Sequence, residues 1–453
     1  MPGELFDLGP DDSDRKLGKP KLQGGTPRLR TPQRDQVEMQ FLALDDMLDS
    51  NHPVRAIWAA VQGLDLGQWL GKIQAVEGRP GRSATDPQLL LALWVYATID
   101  GVGSARRLAN LCDPTHGQLG YRWLCGGVTL NHHTLSDFRS EQGKAWDDLL
   151  AQLVASLMHE GLVTMNRVAQ DGMRVKANAG RSSFRRGETL RKCQVLAKGQ
   201  VAILRKLIDQ DPQALSQREA SARERAARER EERIQRAIRN YENLQGRREE
   251  RSKVDGKPAK EARASTTDPD SRNMKFPDGG YAPGHNVQYC TDVESGIIVG
   301  VGITNVGNDS QQCLPMLEQL KRRYGRIPQE FLIDGGFASL ETIEGLETQG
   351  CKAYAPVKEE KKQLAAGKDP FAKKRGESPA VTGWRERMGT ELARSIYKLR
   401  SQTAEWVNAQ ARNRGLYVMP VRGSAKCRTI AVLYALAHNL QVSIRWRNSV
   451  GSA

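Results

Sequence analysis

The chain has 453 residues, 39% of them hydrophobic, so it is long enough to fold into two or three domains with buried cores. Its 68 Lys and Arg residues outnumber its 53 Asp and Glu residues, and the net charge of +15 favours a polyanionic partner, with nucleic acid the first candidate. No stretch approaches the roughly 20 apolar residues of a spanning helix, no secretory signal begins the chain and no CxxC pair occurs, so we expect a cytoplasmic protein without a membrane partner.

The first third of the chain predicts a mobile arm followed by a helical domain. Residues 1–40 are rich in Pro, Gly and charged side chains and lack apolar periodicity, which is typical of a flexible basic arm. Residues 41–162 contain helical runs separated by glycine-containing breaks, at the spacing of a helix-turn-helix assembly. We therefore predict an all-α N-terminal domain over 41–162.

Residues 163–440 predict an α/β catalytic domain, with a short tail at 441–453. The alternation in VTMNRVAQDGMRVKANA indicates a first strand, and the Arg- and Glu-rich stretch at about 181–262 indicates an exposed helical insertion. Two strands, a helix, the short strand EFLID, a helix, a last strand, a polar loop at about 358–383 and C-terminal helices follow. Without the insertion this is the RNase H-like order, in which a right-handed crossover brings the fourth strand beside and parallel to the first.

Two aspartates fall at the predicted ends of these neighbouring strands. Asp171 ends the first strand and Asp334 the fourth, so this topology brings their carboxylates to one edge of the sheet. Two divalent ions about 3.5–4 Å apart serve phosphodiester hydrolysis and strand transfer, and Mg²⁺ prefers carboxylate oxygens. Each aspartate precedes a glycine, so the alternative is that Asp-Gly merely forms a turn. Their shared position favours a metal site.

Several long motifs make the chain resemble the DDE transposases of bacterial insertion sequences over nearly its full length. EGRPGRSATDPQLLLALWVYATIDGVGSARRLANLC and YRWLCGGVTLNHHTLSDFR resemble the helical DNA-binding domain of one transposase branch. VAQDGMRVKANAG and FLIDGGFAS resemble the family's two aspartate strands, and YKLRSQTAEWVNAQARNRG resembles its Tyr/Arg/Glu/Lys helix. The resemblance implies an enzyme that binds element ends, cleaves them and transfers the strands to target DNA.

The same match implies the site residues. Asp171, Asp334 and Glu405 would bind two Mg²⁺ or Mn²⁺ ions, with Tyr397 and Arg400 as supporting residues. One departure concerns spacing, because four residues separate Arg400 from Glu405 where the commonest form of the motif has three.

A second departure is Arg412, which stands where that form has lysine and still suits a phosphate. Glu405, Asn408 and Arg412 fall at i, i+3 and i+7, so they form one polar stripe on a helix. An ordinary solvated face is the alternative interpretation of this stripe. Glu386 and Glu391 are the other candidates for the third acid, but we expect them near helix starts, where a ligand is held less firmly.

The predicted partner is double-stranded DNA, both element ends and target. Within the helical domain, Arg106, Arg107, Arg122 and His132 suit groove and phosphate contacts. A homo-oligomer, a dimer that joins two ends, and a nucleoid-associated location are the corresponding expectations.

Other interpretations stay open at this level. The chain is either an active transposase, a catalytically silent DNA-binding descendant, or an RNase H-like nuclease without strand transfer. His285 contacts DNA or forms a structural hydrogen bond, and the insertion contacts DNA or a second subunit or is a solvated helix. A zinc site is disfavoured because no compact ligand spacing connects its candidates, which are Cys112, His116, Cys125, His132 and His133.

Overall fold

The computed structural model describes residues 41–78, 83–141, 143–210 and 216–450. The predicted arm at 1–40 therefore lies outside the described residues. From Leu44 onward the chain forms one compact unit. Across the described ranges, no helix combines the length and the apolar character needed to cross a membrane.

The regular structure described between residues 44 and 162 is helical. Its elements are α1 (Pro53–Gln62), α2 (Gly67–Leu70), α3 (Pro87–Ile99), α4 (Ala105–Leu111), α5 (Leu119–Cys125), α6 (His132–Glu141) and α7 (Gly143–His159). Helix α3 begins where it does because the Asp86 side chain accepts a hydrogen bond from the Gln88 amide at 2.8 Å, and Pro87 needs no N–H partner in the first turn. Apolar side chains cover α3 on every side, so it is buried among its neighbours.

Eight strands, some short and some long, follow in the described chain. They are β1 (Arg167–Lys176), β2 (Phe184–Arg185), β3 (Ala264–Ser265), β4 (Arg272–Lys275), β5 (Tyr281–Asp292), β6 (Ile298–Thr304), β7 (Glu330–Leu332) and β8 (Lys352–Tyr354) in the described chain. The main sheet has the order β4-β5-β1-β7-β8, and β6 also pairs with β5. Strand β1 is antiparallel to β5 and parallel to β7, and β7 is parallel to β8. The predicted parallel pairing of the first and fourth strands is confirmed.

Strand β1 differs from its prediction in length. The sequence predicts that it ends at Asp171, but it continues to Lys176 because β5 pairs with it from Val168 to Lys176. Asp171 is therefore a mid-strand residue. Gly172 lies in the ladder and has no left-handed backbone angle, so the alternative interpretation of a turn after Asp171 is wrong.

The predicted insertion is a helical hairpin. It consists of α8 (Gly187–Gln210) and α9 (Gln217–Asp255), and β2 pairs with β3 at its base. Ser216 and Glu219 form a capping box that starts α9. The apolar stripe of α9 is buried at Ile234. Most of the remaining α9 surface is charged and exposed.

The C-terminal half carries the helices that surround the sheet. They are α10 (Cys313–Tyr324), α11 (Leu340–Glu347), α12 (Glu360–Ala365), α13 (Pro379–Met388), α14 (Glu391–Arg400), α15 (Trp406–Asn413) and α16 (Ser424–Val450). The predicted polar loop at 358–383 is only partly a loop, because it contains α12 and the first turn of α13. A π-helical turn, Ser401–Glu405, joins α14 to α15.

Helix α16 connects the helical region to the sheet. It packs against α3 and α7 on one side and against β6 on the other. Asp147 of α7 accepts hydrogen bonds from Arg428 of α16 at 2.9 and 3.0 Å and from Arg323 of α10 at 2.7 Å. One buried apolar cluster extends from α1 to α16, so the helical region and the sheet share a core. Their division into a DNA-binding and a catalytic domain at residue 162 stays a prediction.

The outer side of β6 is paired by side-chain amides. Asn439 of α16 accepts from the Ile298 amide at 2.8 Å and donates to the Ile298 carbonyl at 2.9 Å. Gln319 of α10 makes the same pair of bonds with Val301, each at 3.0 Å. These two amides take the place that the backbone of another strand would occupy.

Candidate active site

Asp171 on β1 and Asp334 just after β7 lie level with each other. Ala169 of β1 is opposite Leu332 of β7. Two residues further along each of these segments, the two aspartates therefore reach the same edge of the sheet. Asp334 follows the end of β7, and its Oδ1 accepts a hydrogen bond from the Gly336 amide at 2.7 Å. A turn therefore does form after Asp334, as one interpretation of its Asp-Gly pair predicts. The topology brings together the two carboxylates that are far apart in sequence.

Asp171 is held by groups from β1 and from the C-terminal helices. Its Oδ1 accepts from the Gly172 amide at 2.9 Å, and its Oδ2 accepts from Asn408 Nδ2 at 3.0 Å. The Arg400 Nη1 atom lies 3.8 Å from Oδ1. Burial raises the pKa of Asp171 to about 6; Arg400 opposes this rise, and the charge of Asp334 adds to it. Ionised Asp171 is thus unfavourable for the fold but accessible at neutral pH.

This pKa predicts that Asp171→Asn stabilises the folded chain at pH 8. An acid whose pKa is higher in the folded than in the unfolded state loses stability as pH rises from about 4 through about 6, because the native state must give up its extra proton. A rise from 3.8 to about 6 corresponds to roughly 2–3 kcal/mol. Urea denaturation without added divalent cations should show this gain at pH 8 and a smaller gain at pH 5. An equal effect at both values would contradict the raised pKa.

Arg400 lies between the carboxylates. Its Nη2 donates to Glu405 Oε1 at 2.7 Å, while its other terminal nitrogen faces Asp171. Burial lowers the pKa of Arg400, but the neighbouring phenol and carboxylates raise it above its usual value. The Tyr397 ring centroid lies 5.9 Å from the Arg400 Cζ atom, and burial raises the pKa of this phenol. The structure thus gathers Tyr397, Arg400 and Glu405 beside the two aspartates.

The π-helical turn explains the unusual spacing between Arg400 and Glu405. A π turn bonds residue i to i+5, so it takes up one more residue than an α turn and leaves the flanking helices in register. Arg400 and Glu405 therefore contact each other across five positions, as residues four apart do on an α-helix. The extra residue changes the spacing in sequence while the two side chains still meet.

The other predicted residues are placed as follows. Arg412 is exposed on α15, seven residues beyond Glu405. Arg106 and Arg107 are exposed on α4, whereas Arg122 of α5 and His132 of α6 are half-buried. Glu391 is exposed at the first position of α14, as expected, but the expectation for Glu386 is wrong, because it is exposed in the last turn of α13 and not at a helix start.

Two of the cysteines considered for a zinc site and the histidine considered for DNA contact are buried. Cys112 and Cys125 are buried, and among the described residues they belong to no group with metal-binding geometry. His285 is fully buried on β5, and its Nε2 lies 3.1 Å from Asp268 Oδ2. Burial removes His285 from any DNA surface, so the hydrogen-bonding interpretation is the one that fits. Together with Cys427, this pair forms a buried cluster between β5 and α16.

The sequence-based prediction assigns no role to two residues near the site. Asn408 lies on the predicted polar stripe, and only the fold makes it a donor to Asp171. Asp309 lies in the loop before α10, which begins at Cys313. A carboxylate in a loop gives no periodic signal, so its position beside β1 was not predictable.

Comparisons with known proteins give two family matches. The Transposase domain (DUF772) matches residues 42–141, and the Transposase DDE domain matches residues 254–440, which include Asp334 and Glu405. Searches of curated proteins and of solved structures found no match. The two matched domains define a transposase. The chain belongs to the DDE transposases of insertion sequences, which confirms the resemblance of its motifs.

Proposed function

We propose that the chain binds the ends of its insertion element, cleaves the DNA there and joins the freed 3′ hydroxyl to target DNA. Asp171, Asp334 and Glu405 are the proposed catalytic acids. The observation that carries the proposal is the meeting of the two aspartates at the end of β7, with Arg400 between Asp171 and Glu405. Burial and the nearby charge of Asp334 raise the pKa of Asp171, which costs stability at neutral pH, and functional sites are where such groupings occur.

The proposed core is RNase H-like. An antiparallel arrangement of β1, β5 and β6, followed by a crossover through α10 to the parallel strand β7, supports this assignment. The insertion α8–α9 interrupts this core between β1 and the later strands. The helical region ahead of β1 is the proposed DNA-binding domain.

The donor set suits divalent cations. Carboxylate oxygens are the ligands that Mg²⁺ and Mn²⁺ prefer, and Asp171, Asp334 and Glu405 would hold them. Within the described chain, the buried Oδ1 of Asn408 has no hydrogen-bond partner, although its amide contacts Asp171. A Cβ at position 336 would lie 3.0 Å from Asp334 Oδ1, so glycine keeps that oxygen free of crowding. When bound, two such ions would supply an activated oxygen nucleophile and relieve charge at the phosphate.

The chain's own residues position the acids. Asn408 and the Gly172 amide fix the two oxygens of Asp171, and Arg400 orients Glu405. Because the Asp171 pKa is about 6, this carboxylate is ionised at pH 8 and largely protonated at pH 5. Cation binding, which requires the ionised form, should weaken as pH falls through about 6.

The proposed DNA surface includes the exposed arginines of α4, Arg106 and Arg107, together with Arg122, His132 and the phosphate-capable Arg412. The exposure and positive charge of Arg106, Arg107 and Arg412 support contacts with phosphates. A dimer that holds two element ends is part of the same proposal. The α8–α9 hairpin either contacts DNA or a second subunit or stays solvated.

The experiment is an in vitro reaction of the full chain with a plasmid that carries the gene and its flanking DNA. Cleavage with 3′ hydroxyl ends at matching flanks, followed by joined products in Mg²⁺ or Mn²⁺, supports the proposal. Cleavage without joined products identifies a nuclease. End-specific binding without cleavage identifies a silent DNA-binding descendant, and both results overturn the proposed activity. A salt titration against random duplex measures the end specificity.

The π-helical turn adds a prediction about length. Deleting Gln402, which is exposed in this turn, should convert it to an α turn, because the flanking helices already hold α register. We expect cleavage to stay within about tenfold of wild type, a barrier change below ~1.4 kcal/mol. Deleting Gln410 from α15 is the matched control: it rotates Arg412 by about 100° and should cost more. If both deletions cost the same, the turn does not absorb the extra residue.

A further inference from the structure

A fourth carboxylate, Asp309, lies against β1 beside the proposed catalytic acids. It belongs to the loop at 305–312 between β6 and α10. Its Oδ1 accepts hydrogen bonds from Asn286 Nδ2 at 2.8 Å and from Gln288 Nε2 at 2.7 Å. Both amide side chains are buried on β5. Two donors on one oxygen fix the direction of the whole carboxylate.

The Gln288 side chain that donates to Asp309 is fixed by a further hydrogen bond. Gln288 Oε1 accepts from Gln170 Nε2 at 2.9 Å, and the same Gln170 nitrogen lies 3.2 Å from the Gln312 carbonyl. This series of bonds joins β1, β5 and the loop that carries Asp309. Buried polar networks of this kind restrict side-chain positions strongly. Because Gln170 directly precedes Asp171 in β1, this network gives Asp309 a defined position relative to Asp171.

The space for Asp309 is provided by a glycine. A Cβ at Gly172 would lie 2.0 Å from Asp309 Oδ1 and 2.5 Å from Gln288 Nε2, closer than any real contact. Since the backbone of Gly172 is extended and not left-handed, conformational freedom does not explain this glycine. The residue after Asp171 is glycine so that a carboxylate can lie against the strand.

The second oxygen of Asp309 lies towards Asp334. A Cβ at Gly336 would meet Asp334 Oδ1 at 3.0 Å and Asp309 Oδ2 at 3.7 Å, so the two oxygens flank one small space. Asp309 is only half-buried, and its charge adds to those that raise the pKa of Asp171. Successive side chains of a strand point to opposite faces, so Asp309 approaches β1 from the face opposite the Asp171 side chain.

The hydrogen bonds alone do not require a negative charge. The amide oxygen of an asparagine would accept from Asn286 and Gln288 equally well. A carboxylate placed near two others instead costs stability through repulsion. A positively charged ligand would offset this cost.

We propose that Asp309 is a fourth carboxylate of the metal site, binding a divalent cation together with Asp334. The inference rests on the proposed function, because it assumes that Asp334 is a metal ligand. It adds a ligand from the loop before α10, on the other face of β1 from the C-terminal helices. The catalytic acids would then hold cations from both faces of the sheet.

The test measures Mn²⁺ binding to the full chain without DNA, by electron paramagnetic resonance of the free ion. Asp309→Asn should weaken Mn²⁺ binding at least tenfold while thermal unfolding without the ion stays near or above the wild-type temperature. Ser310→Ala is the matched control in the same loop, since among the described residues its hydroxyl donates to the neighbouring Asn308 and not to the proposed site. This control should bind as wild type does.

The comparison with Asp334→Asn separates the two proposals. If Asp334→Asn weakens Mn²⁺ binding and Asp309→Asn does not, Asp309 is not a ligand and the proposed function stands. If neither variant changes binding, the proposed metal site itself is wrong. Should Asp309→Asn fail to fold, Asp309→Ser keeps a small acceptor for the two amides and is measured by the same criteria.

Discussion

Asp334→Asn is expected to reduce strand cleavage roughly a thousandfold, since loss of a ligand that aligns catalytic cations removes several kcal/mol of transition-state stabilisation. The asparagine keeps the oxygen that accepts from the Gly336 amide, so the turn after β7 should persist. Binding of element ends should change little, because the proposed DNA surface lies largely on other elements. Cleavage of a labelled element end and a gel shift on the same DNA measure the two effects.

The chain contains a matched control for this variant. Asp278 also precedes two glycines, and its Oδ1 accepts from the Gly280 amide at 3.0 Å, as Asp334 does from Gly336. Asp278→Asn therefore makes the same chemical change at a carboxylate that accepts the same hydrogen bond within an Asp-Gly-Gly sequence, outside the proposed site. It should cleave at nearly the wild-type rate. Normal cleavage by Asp334→Asn, or an equal loss in both variants, would remove Asp334 from the catalytic acids.

The second large effect is expected for Glu405→Gln, with a loss of roughly a hundredfold to a thousandfold in cleavage. Glu405 is the C-terminal acid that contacts Arg400, and Arg400 in turn faces Asp171. Its side chain is 53% exposed, so it remains accessible to a cation and to DNA. Glutamine preserves the hydrogen bond with Arg400 and removes the charge. The loss should therefore report on the carboxylate itself.

Glu386→Gln and Glu391→Gln are the comparisons for Glu405. Both are exposed acids on the helices before the π-helical turn, and both were alternatives for the third acid on sequence alone. Each should retain cleavage at a matched folded fraction. Near-normal cleavage by Glu405→Gln together with a loss in either of the others would show that the third acid is Glu386 or Glu391. The acid that contacts Arg400 would then not be a catalytic residue.

The sequence predicts the pairing of the aspartates better than their local structure. Strand order and crossover handedness are enough to bring the first and fourth strands together, so Asp171 and Asp334 were predictable neighbours. The continuation of β1 beyond Asp171 was not, because it depends on the length of the ladder with β5. A glycine inside a strand resembles a turn until the group that occupies its side-chain space is known.

The C-terminal acids show a different limit. The stripe of Glu405, Asn408 and Arg412 follows from α-helical periodicity. The contact between Arg400 and Glu405 does not, because regular α-helical geometry would turn residues five apart away from each other. Only the π-helical turn brings them together. A single extra residue in a motif is therefore weak grounds for rejecting the motif.

The two amides on the outer side of β6 bear on how copies of the chain can associate. An exposed strand edge can add a strand from another molecule, which leads to sheet extension and aggregation. Asn439 and Gln319 already satisfy the backbone groups of Ile298 and Val301 that such a strand would use. Continuous sheet growth between transposase molecules is thus blocked at these positions. The proposed complex that holds two DNA ends would therefore use surfaces other than this edge, and it could separate again without breaking backbone pairing to β6.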